Sequence, residues 1–406
     1  MTMGNEDRIS NLPSDLLISI ISRLTIQRAT TTSILSTRWR YLYCYITDLY
    51  FPSHIPYVVT ESDYSRVVQH VLDSHRGSRI KEFRLCMSKG LYFERWFEFA
   101  VSKKAEIIHL SGKHDIDYEA LFLRLPNTNN GFECLKDLYL HKSRMTEQDL
   151  KLLLSNCIAL ESLKLDFPFK LDNVSIVGHT KLKHLSLTCL VADSIVIQDA
   201  ISLVSLKLYV LIDRFSMQLS NTPKLTQLYF EEHFPLKLFD ELLTRMPACM
   251  RNQLQIMHLS AKVCCISEMH QKLSWVDLVN IKRLELNLYS MGRSPGPNFL
   301  RNFFRLVRLV EACSSLDKLV ITFRHWLSSH SEDMLETYVG SRCELSPKYL
   351  KISQYSGAPS QLAFTLYLID NARSLKKVSV VARDEEALAC ARHDFQHIAF
   401  VSFSVM

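Results

Sequence analysis

One short phrase recurs along most of this 406-residue chain: an aliphatic residue, two variable ones, an aliphatic, one variable, an aliphatic. Clear copies are Leu135-Leu138-Leu140, Leu160-Leu163-Leu165, Leu182-Leu185-Leu187, Leu203-Leu206-Leu208 and Leu225-Leu228-Phe230. Later copies are Leu254-Met257-Leu259, Ile281-Leu284-Leu286, Leu316-Leu319-Ile321 and Leu375-Val378-Val380. Weaker ones are Phe83-Leu85, Ile108-Leu110 and Leu350-Ile352. The interval is roughly 21–25 residues in the middle and roughly 27–35 toward the end, a period that means stacked supersecondary units. The last two aliphatics of each phrase are two residues apart, so on a strand they share one face. A single unit cannot bury that face. Neighbours must stack, share one core and place their strands side by side in parallel.

The phrase resembles a leucine-rich repeat. Cys157 before Leu160 and Cys313 before Leu316 resemble the cysteine-containing subtype of that repeat. The resemblance implies an α/β solenoid, a horseshoe of about twelve irregular repeats. Residues Met145 to Leu154 read as a capped amphipathic helix between phrases, and Phe303 to Glu311 read similarly. The short central units have no room for a full helix, so extended or single-turn connections are expected there.

The N-terminus follows another rule. Leu16, Leu17, Ile20, Ile21 and Leu24 form one wide apolar stripe on a helix of about ten residues. Pro13 suits its start, where a missing N–H costs nothing. Thr25 can cap a second segment from Ile26 to Leu35, and Ser36 a third helix carrying Trp39 and Leu42. A unit below about 40 residues rarely buries enough surface to stand alone, so a partner surface is expected. Leu12-Pro13, Leu16-Leu17 and then Ser36-Thr37-Arg38-Trp39-Arg40 together resemble an F-box. That family is a docking element. It implies a small three-helix module that binds a Skp-type adaptor, and through it cullin and RING subunits, with Leu12, Pro13, Leu16, Leu17, Ile20, Leu24, Ile34, Leu35 and Trp39 facing the adaptor. The chain departs from the common pattern at Thr25, where many members have Pro, and at Gln27, Thr37 and the β-branched run Thr30-Thr31-Thr32.

Toward the C-terminus, Pro347 to Ile352, Gly357 and Asp370 to Val378 resemble the FBD element that closes many plant F-box/leucine-rich-repeat proteins. The organisation expected is an F-box at 1–50, a connecting segment at 51–79, repeats at 80–342 and FBD-like repeats with a cap at 343–406.

Composition narrows the function. The net charge of +6 is mild and its signs are well mixed, unlike the basic block of a nucleic-acid binder. No apolar run reaches the roughly 18–20 residues that cross a bilayer. Eleven irregularly spaced cysteines contain no Cys-x-x-Cys and read as reduced, buried side chains in cytoplasm or nucleus. His393 and His397 have a metal-capable spacing but no third ligand, and no nucleophile elbow, Walker loop or dinucleotide fingerprint occurs. No metal, cofactor or catalytic residue is expected, and the chain reads as a receptor rather than an enzyme.

A protein substrate is expected on the face formed by the variable residues of the phrases. Tyr139, Lys164, Lys207, Tyr229, Arg283 and Lys351 are its candidate contacts, basic enough to read an acidic or phosphorylated segment. Two alternatives of the same architecture are a binding scaffold outside the ligase and a small-molecule receptor. The latter needs a loop over the face, for which Ser290 to Asn298 is the candidate.

Overall fold

The computed structural model describes residues 9, 11–53, 60–87, 93–112, 116–117, 130–168, 170–212, 215–232, 251–262, 278–289, 306–324 and 344–406. The chain divides into two compact units, Met1–Thr188 and Cys189–Met406.

The first unit opens with α1 (Ser14–Ile21) and α2 (Ile26–Thr31). Thr25 caps α2 through the Arg28 amide, a long bond of 3.5 Å. The expected helix to Leu35 stops early, and its threonines show why. Thr30, Thr31 and Thr32 turn their hydroxyls back on the carbonyls of Gln27, Arg28 and Ala29 at 2.8, 2.8 and 2.6 Å. Such back-bonding loosens an α-helix. The chain tightens into a 3-10 turn over Thr32–Ile34. The expected third helix is also absent: Trp39 sits in a turn, followed by a 3-10 helix at Leu42–Tyr45. The three-helix expectation is thereby corrected to two short α-helices and two 3-10 turns among the described residues.

This module is tied to the first strand. The Thr47 amide donates to Ser22 Oγ at 3.0 Å. The Arg76 amide donates to the Cys44 carbonyl at 2.7 Å, and the buried His75 ring holds the Ile46 carbonyl at 3.0 Å. Burial pushes the His75 imidazole toward its neutral form.

From there a parallel ladder builds. Its strands are β1 (Asp48–Phe51), β2 (Glu82–Met87), β3 (Ile107–Gly112), β5 (Asp137–His141), β7 (Ser162–Asp166) and β9 (His184–Leu190), which pairs with β7 over His184–Thr188. The two-residue strands β4 (Ile116–Asp117) and β6 (Ser143–Arg144) pair beside it. Helices α3 (Glu61–Ser74), α4 (Phe93–Ser102) and α5 (Glu147–Asn156) fill connections. Thr146 and Asp149 close a reciprocal capping box on α5, as its sequence implied. β8 (Asn173–Val177) is an extended connection.

The second unit repeats the plan. Strands β11 (Ser205–Val210), β13 (Gln227–Glu232), β14 (Ile256–Lys262), β15 (Arg283–Tyr289), β16 (Lys318–Arg324), β17 (Tyr349–Tyr355), β18 (Lys377–Ala382) and β19 (Val401–Val405) pair in parallel in that order. The short units again use extended connections, β10 (Ser194–Gln198) and β12 (Ser216–Ser220), paired with each other. Residues 306–312 are helical, and α6 (Pro359–Asn371) and α7 (Glu385–Asp394) follow.

A common turn explains the phrase. Its first aliphatic donates its amide to the carbonyl three residues earlier, as Leu160 does to Cys157, Leu203 to Ala200, Ile281 to Leu278 and Leu316 to Cys313. The strand starts two residues later, and its aliphatics go inward: Leu138, Leu163, Leu206, Leu228, Leu284 and Leu319 are fully buried. Cys157 and Cys313 sit where a helical connection enters this turn. Burial raises both thiols to about 12. β1 and β19 add strands outside the phrase pattern.

Candidate docking surfaces

On α1 the apolar stripe splits in two. Leu17 and Ile21 point inward with no exposed surface, whereas Leu16 and Ile20 are 51% and 44% exposed. The two pairs have the same spacing but stand one residue apart, so they occupy adjacent faces of one helix. Ile34 is 86% and Leu35 63% exposed, carried outward by the 3-10 turn. Pro13 is exposed, and Leu12 and Leu24 are half-buried. Trp39 is buried instead. Its neighbour Arg38 donates to the Leu12 carbonyl, closing the module by tying the Arg-Trp-Arg segment to the Leu-Pro turn.

The sheet face is set by register. In the first unit Arg84, His109, Tyr139, Lys164 and Ser186 lie abreast. Tyr139 Oη donates to Asp166 at 3.4 Å, and its ring meets His109 edge-on at 5.8 Å. Burial, and then the Asp166 charge, raise the Tyr139 hydroxyl to about 12. His109 Nε2 stands 3.3 Å from Asp137, at ion-pair distance.

In the second unit the corresponding row is Lys207, Tyr229, His258, Glu285, Val320, Lys351, Ser379 and Ser402. Its first half is a closed network. His258 lies 3.0 Å from Glu285 and 3.9 Å from Glu231. Asn287 reaches its other ring nitrogen at 3.1 Å. Arg283 Nε donates to Glu285 at 2.6 Å, and Lys207 stands 3.6 Å from Glu231. The His258 hydrogen bond and Arg283 outweigh burial and hold the Glu285 carboxyl down at about 2.

Comparison with known proteins matches both regions of the chain to known domains. Residues 9–42 match the F-box domain, and residues 115–235 match the leucine-rich repeats of FBD-associated F-box protein At5g56370. The chain carries an F-box and FBD-associated leucine-rich repeats. Similar proteins come from Arabidopsis thaliana. FBD-associated F-box protein At5g38590 is 25% identical over 93% of this chain and 94% of its own length. F-box/LRR-repeat protein At3g03360 is 27% identical over 45% and 43%, and FBD-associated F-box protein At4g10400 is 31% identical over 56% and 62%. The chain therefore spans nearly all of one of these relatives and less than two thirds of the other two. F-box and repeats together point to a substrate adaptor.

Within the F-box, the nine residues expected to face an adaptor fall into two groups. Leu16, Ile20, Ile34, Leu35 and Pro13 stand on the surface, with Leu12 and Leu24 partly so, whereas Leu17 and Trp39 belong to the module's own core. On the repeats, Tyr139 lies beside Lys164, and Lys207 beside Tyr229. Lys207 and Arg283 are already engaged by Glu231 and Glu285. The His258 network was not singled out by sequence reasoning, because its partners meet only across strands. The Ser290 to Asn298 loop lies outside the described residues. His393 ends α7 beside Asp394, and His397 lies beyond the helix, so the pair does not share a helical face. No helix among the described residues is long and apolar enough to cross a membrane.

Proposed function

We propose that the chain is the substrate receptor of a Skp–cullin–F-box ubiquitin ligase, a non-catalytic subunit that works by proximity. The observation that carries this reading is the exposed apolar set Leu16, Ile20, Ile34 and Leu35 on a module whose core is formed by Leu17, Ile21, Ile26, Trp39 and Leu42. Burying one large aliphatic side chain yields about 1.5–3 kcal/mol, so four of them supply a partner surface of real affinity. The tie of Ser22, Cys44 and Ile46 to Thr47, Arg76 and His75 would hold the F-box, and with it a docked adaptor, against the first strand. The repeats would form a horseshoe at 80–342 with an FBD-like end at 343–406. Its face would hold a target protein near the ubiquitin carrier, which raises effective concentration. Cytoplasm or nucleus is where such a ligase works.

Co-purification of the full chain with a Skp-type adaptor tests the reading, beside a Leu12→Ala/Pro13→Ala variant and an Ile34→Asp/Leu35→Asp variant. Capture by the parent and loss in the second variant is expected. Failure of the intact chain to capture the adaptor would mean that Thr25, Gln27 and the threonine run have disabled the F-box, and would place the chain outside the ligase.

A further inference from the structure

The two halves of the second unit's sheet face differ in charge. Both carboxylates on it among the described residues, Glu231 and Glu285, lie in the β13–β15 half, where Lys207, His258 and Arg283 answer them. On β16 to β19 the outward strand residues include no acid among the described residues. Lys318, Tyr349 and Lys377 stand abreast on β16, β17 and β18, and Lys351 follows Tyr349 two residues along the same face. None of these three lysines has a carboxylate within 4 Å among the described residues. Arg324, at the end of β16, is held over the Tyr289 ring at 5.9 Å. Tyr349 is 47% exposed, a rigid aromatic standing out of a cationic surround. Their inward neighbours Leu350 and Ile352 are buried, so the strand holds these side chains outward.

We infer that the β16–β18 face, with Lys318, Lys351 and Lys377 around Tyr349, is the docking surface for an extended acidic segment of a protein. This rests on the receptor reading and names the chemistry of what the receptor holds. Charge complementarity is the argument: three cations without a carboxylate partner among the described residues favour an anionic partner, and the neutralised β13–β15 half offers none of that preference. The geometry adds spacing. Adjacent strands stand about 4.8 Å apart, which places Lys318 and Lys377 about 9.6 Å from each other. A segment in the polyproline II conformation advances about 3.1 Å per residue and returns its side chains to the same face every three residues, so acidic residues three apart reach both lysines while the backbone between them crosses Tyr349. Lysine is a point charge rather than a bidentate fork, so carboxylate and phosphate are both accepted. The source of the negative charge is left to the experiment.

The test uses the full chain with its adaptor and fluorescein-labelled nine-residue peptides read by anisotropy. The peptides carry two Glu residues at separations of two, three or five, a phosphoserine pair at three, or Gln pairs. An oligo-dT 20-mer is the nucleic-acid arm. The expected result is binding that is strongest for acidic pairs three apart, about tenfold weaker in Lys318→Gln/Lys351→Gln/Lys377→Gln, and unchanged in Lys170→Gln/Lys181→Gln/Lys224→Gln, which removes the same charge from exposed sites elsewhere. Comparable binding of Glu and phosphoserine pairs, or preference for one, distinguishes the two sources of charge. Equal losses in both triple variants, equal binding of the Gln peptide, no acidic binding up to millimolar peptide, or stronger binding of oligo-dT overturns the proposal. Adaptor capture is scored on the same samples. Peptide binding without capture overturns the receptor reading alone, whereas capture without peptide binding overturns this surface alone.

Discussion

At the residue scale, burial separates fold from function inside one short segment. Leu17 and Ile34 are both large aliphatics of the F-box, yet one has no exposed surface and the other is 86% exposed. Leu17→Ala is therefore expected to lower stability by about 2–5 kcal/mol in urea unfolding, the usual cost of emptying a core site. Ile34→Asp is expected to leave the unfolding midpoint unmoved and to abolish adaptor capture. Gly131 is a second fixed point. A Cβ there would lie 2.0 Å from the Val101 carbonyl oxygen. Gly131→Ala must push backbone apart and should cost about 3 kcal/mol, seen as a shifted urea midpoint with adaptor capture retained below it.

At the element scale the ladder is held mainly by its buried aliphatics. The residues just before successive strands alternate in charge, Lys81, Glu106, Lys136, Glu161 and Lys183, and pair at 2.7 Å for Lys136–Glu106 and 2.8 Å for Lys183–Glu161. These pairs are exposed and screened by solvent, so Lys136→Glu should lower stability far less than emptying a core site. Leu163→Ala, in the same unit, should cost about 2–5 kcal/mol. A ranking of the two variants in the opposite order would overturn that account of the ladder. The His258 network carries a pH signature. Glu285 is held below its unfolded value, so its contribution is present above the ordinary carboxylate range and is lost as pH falls toward about 2. Urea midpoints measured between pH 5 and 3 should drop less in Glu285→Gln than in the parent chain.

At the scale of the whole molecule, the two docking roles should be separable. Ile34→Asp/Leu35→Asp is expected to lose the adaptor while keeping acidic-peptide affinity, and the β16–β18 lysine variant to do the reverse, both measured on the full chain. The phrase, the F-box motif and the capping box on α5 were legible in the sequence because each is written in residues close together. Period-two alternation, a three-residue turn and an i to i+3 cap are local physics, so Leu163, Leu284 and Thr146 declared themselves. The third helix of the F-box was misread because its backbone closes in three-residue turns instead, the amides of Trp39, Leu42 and Cys44 donating to the carbonyls of Ser36, Trp39 and Tyr41. Which half of the α1 stripe is covered, and which lysines of the face are already paired, stayed hidden. Lys207 meets Glu231, and His258 meets Glu285, only after the chain has gone once around a repeat. The sequence by itself determined the repeating strand, its inward side and the kind of module at the N-terminus. Only the tertiary structure decided which apolar residues remain for a partner and which charges remain for a target, because both are what is left after distant neighbours have packed and paired.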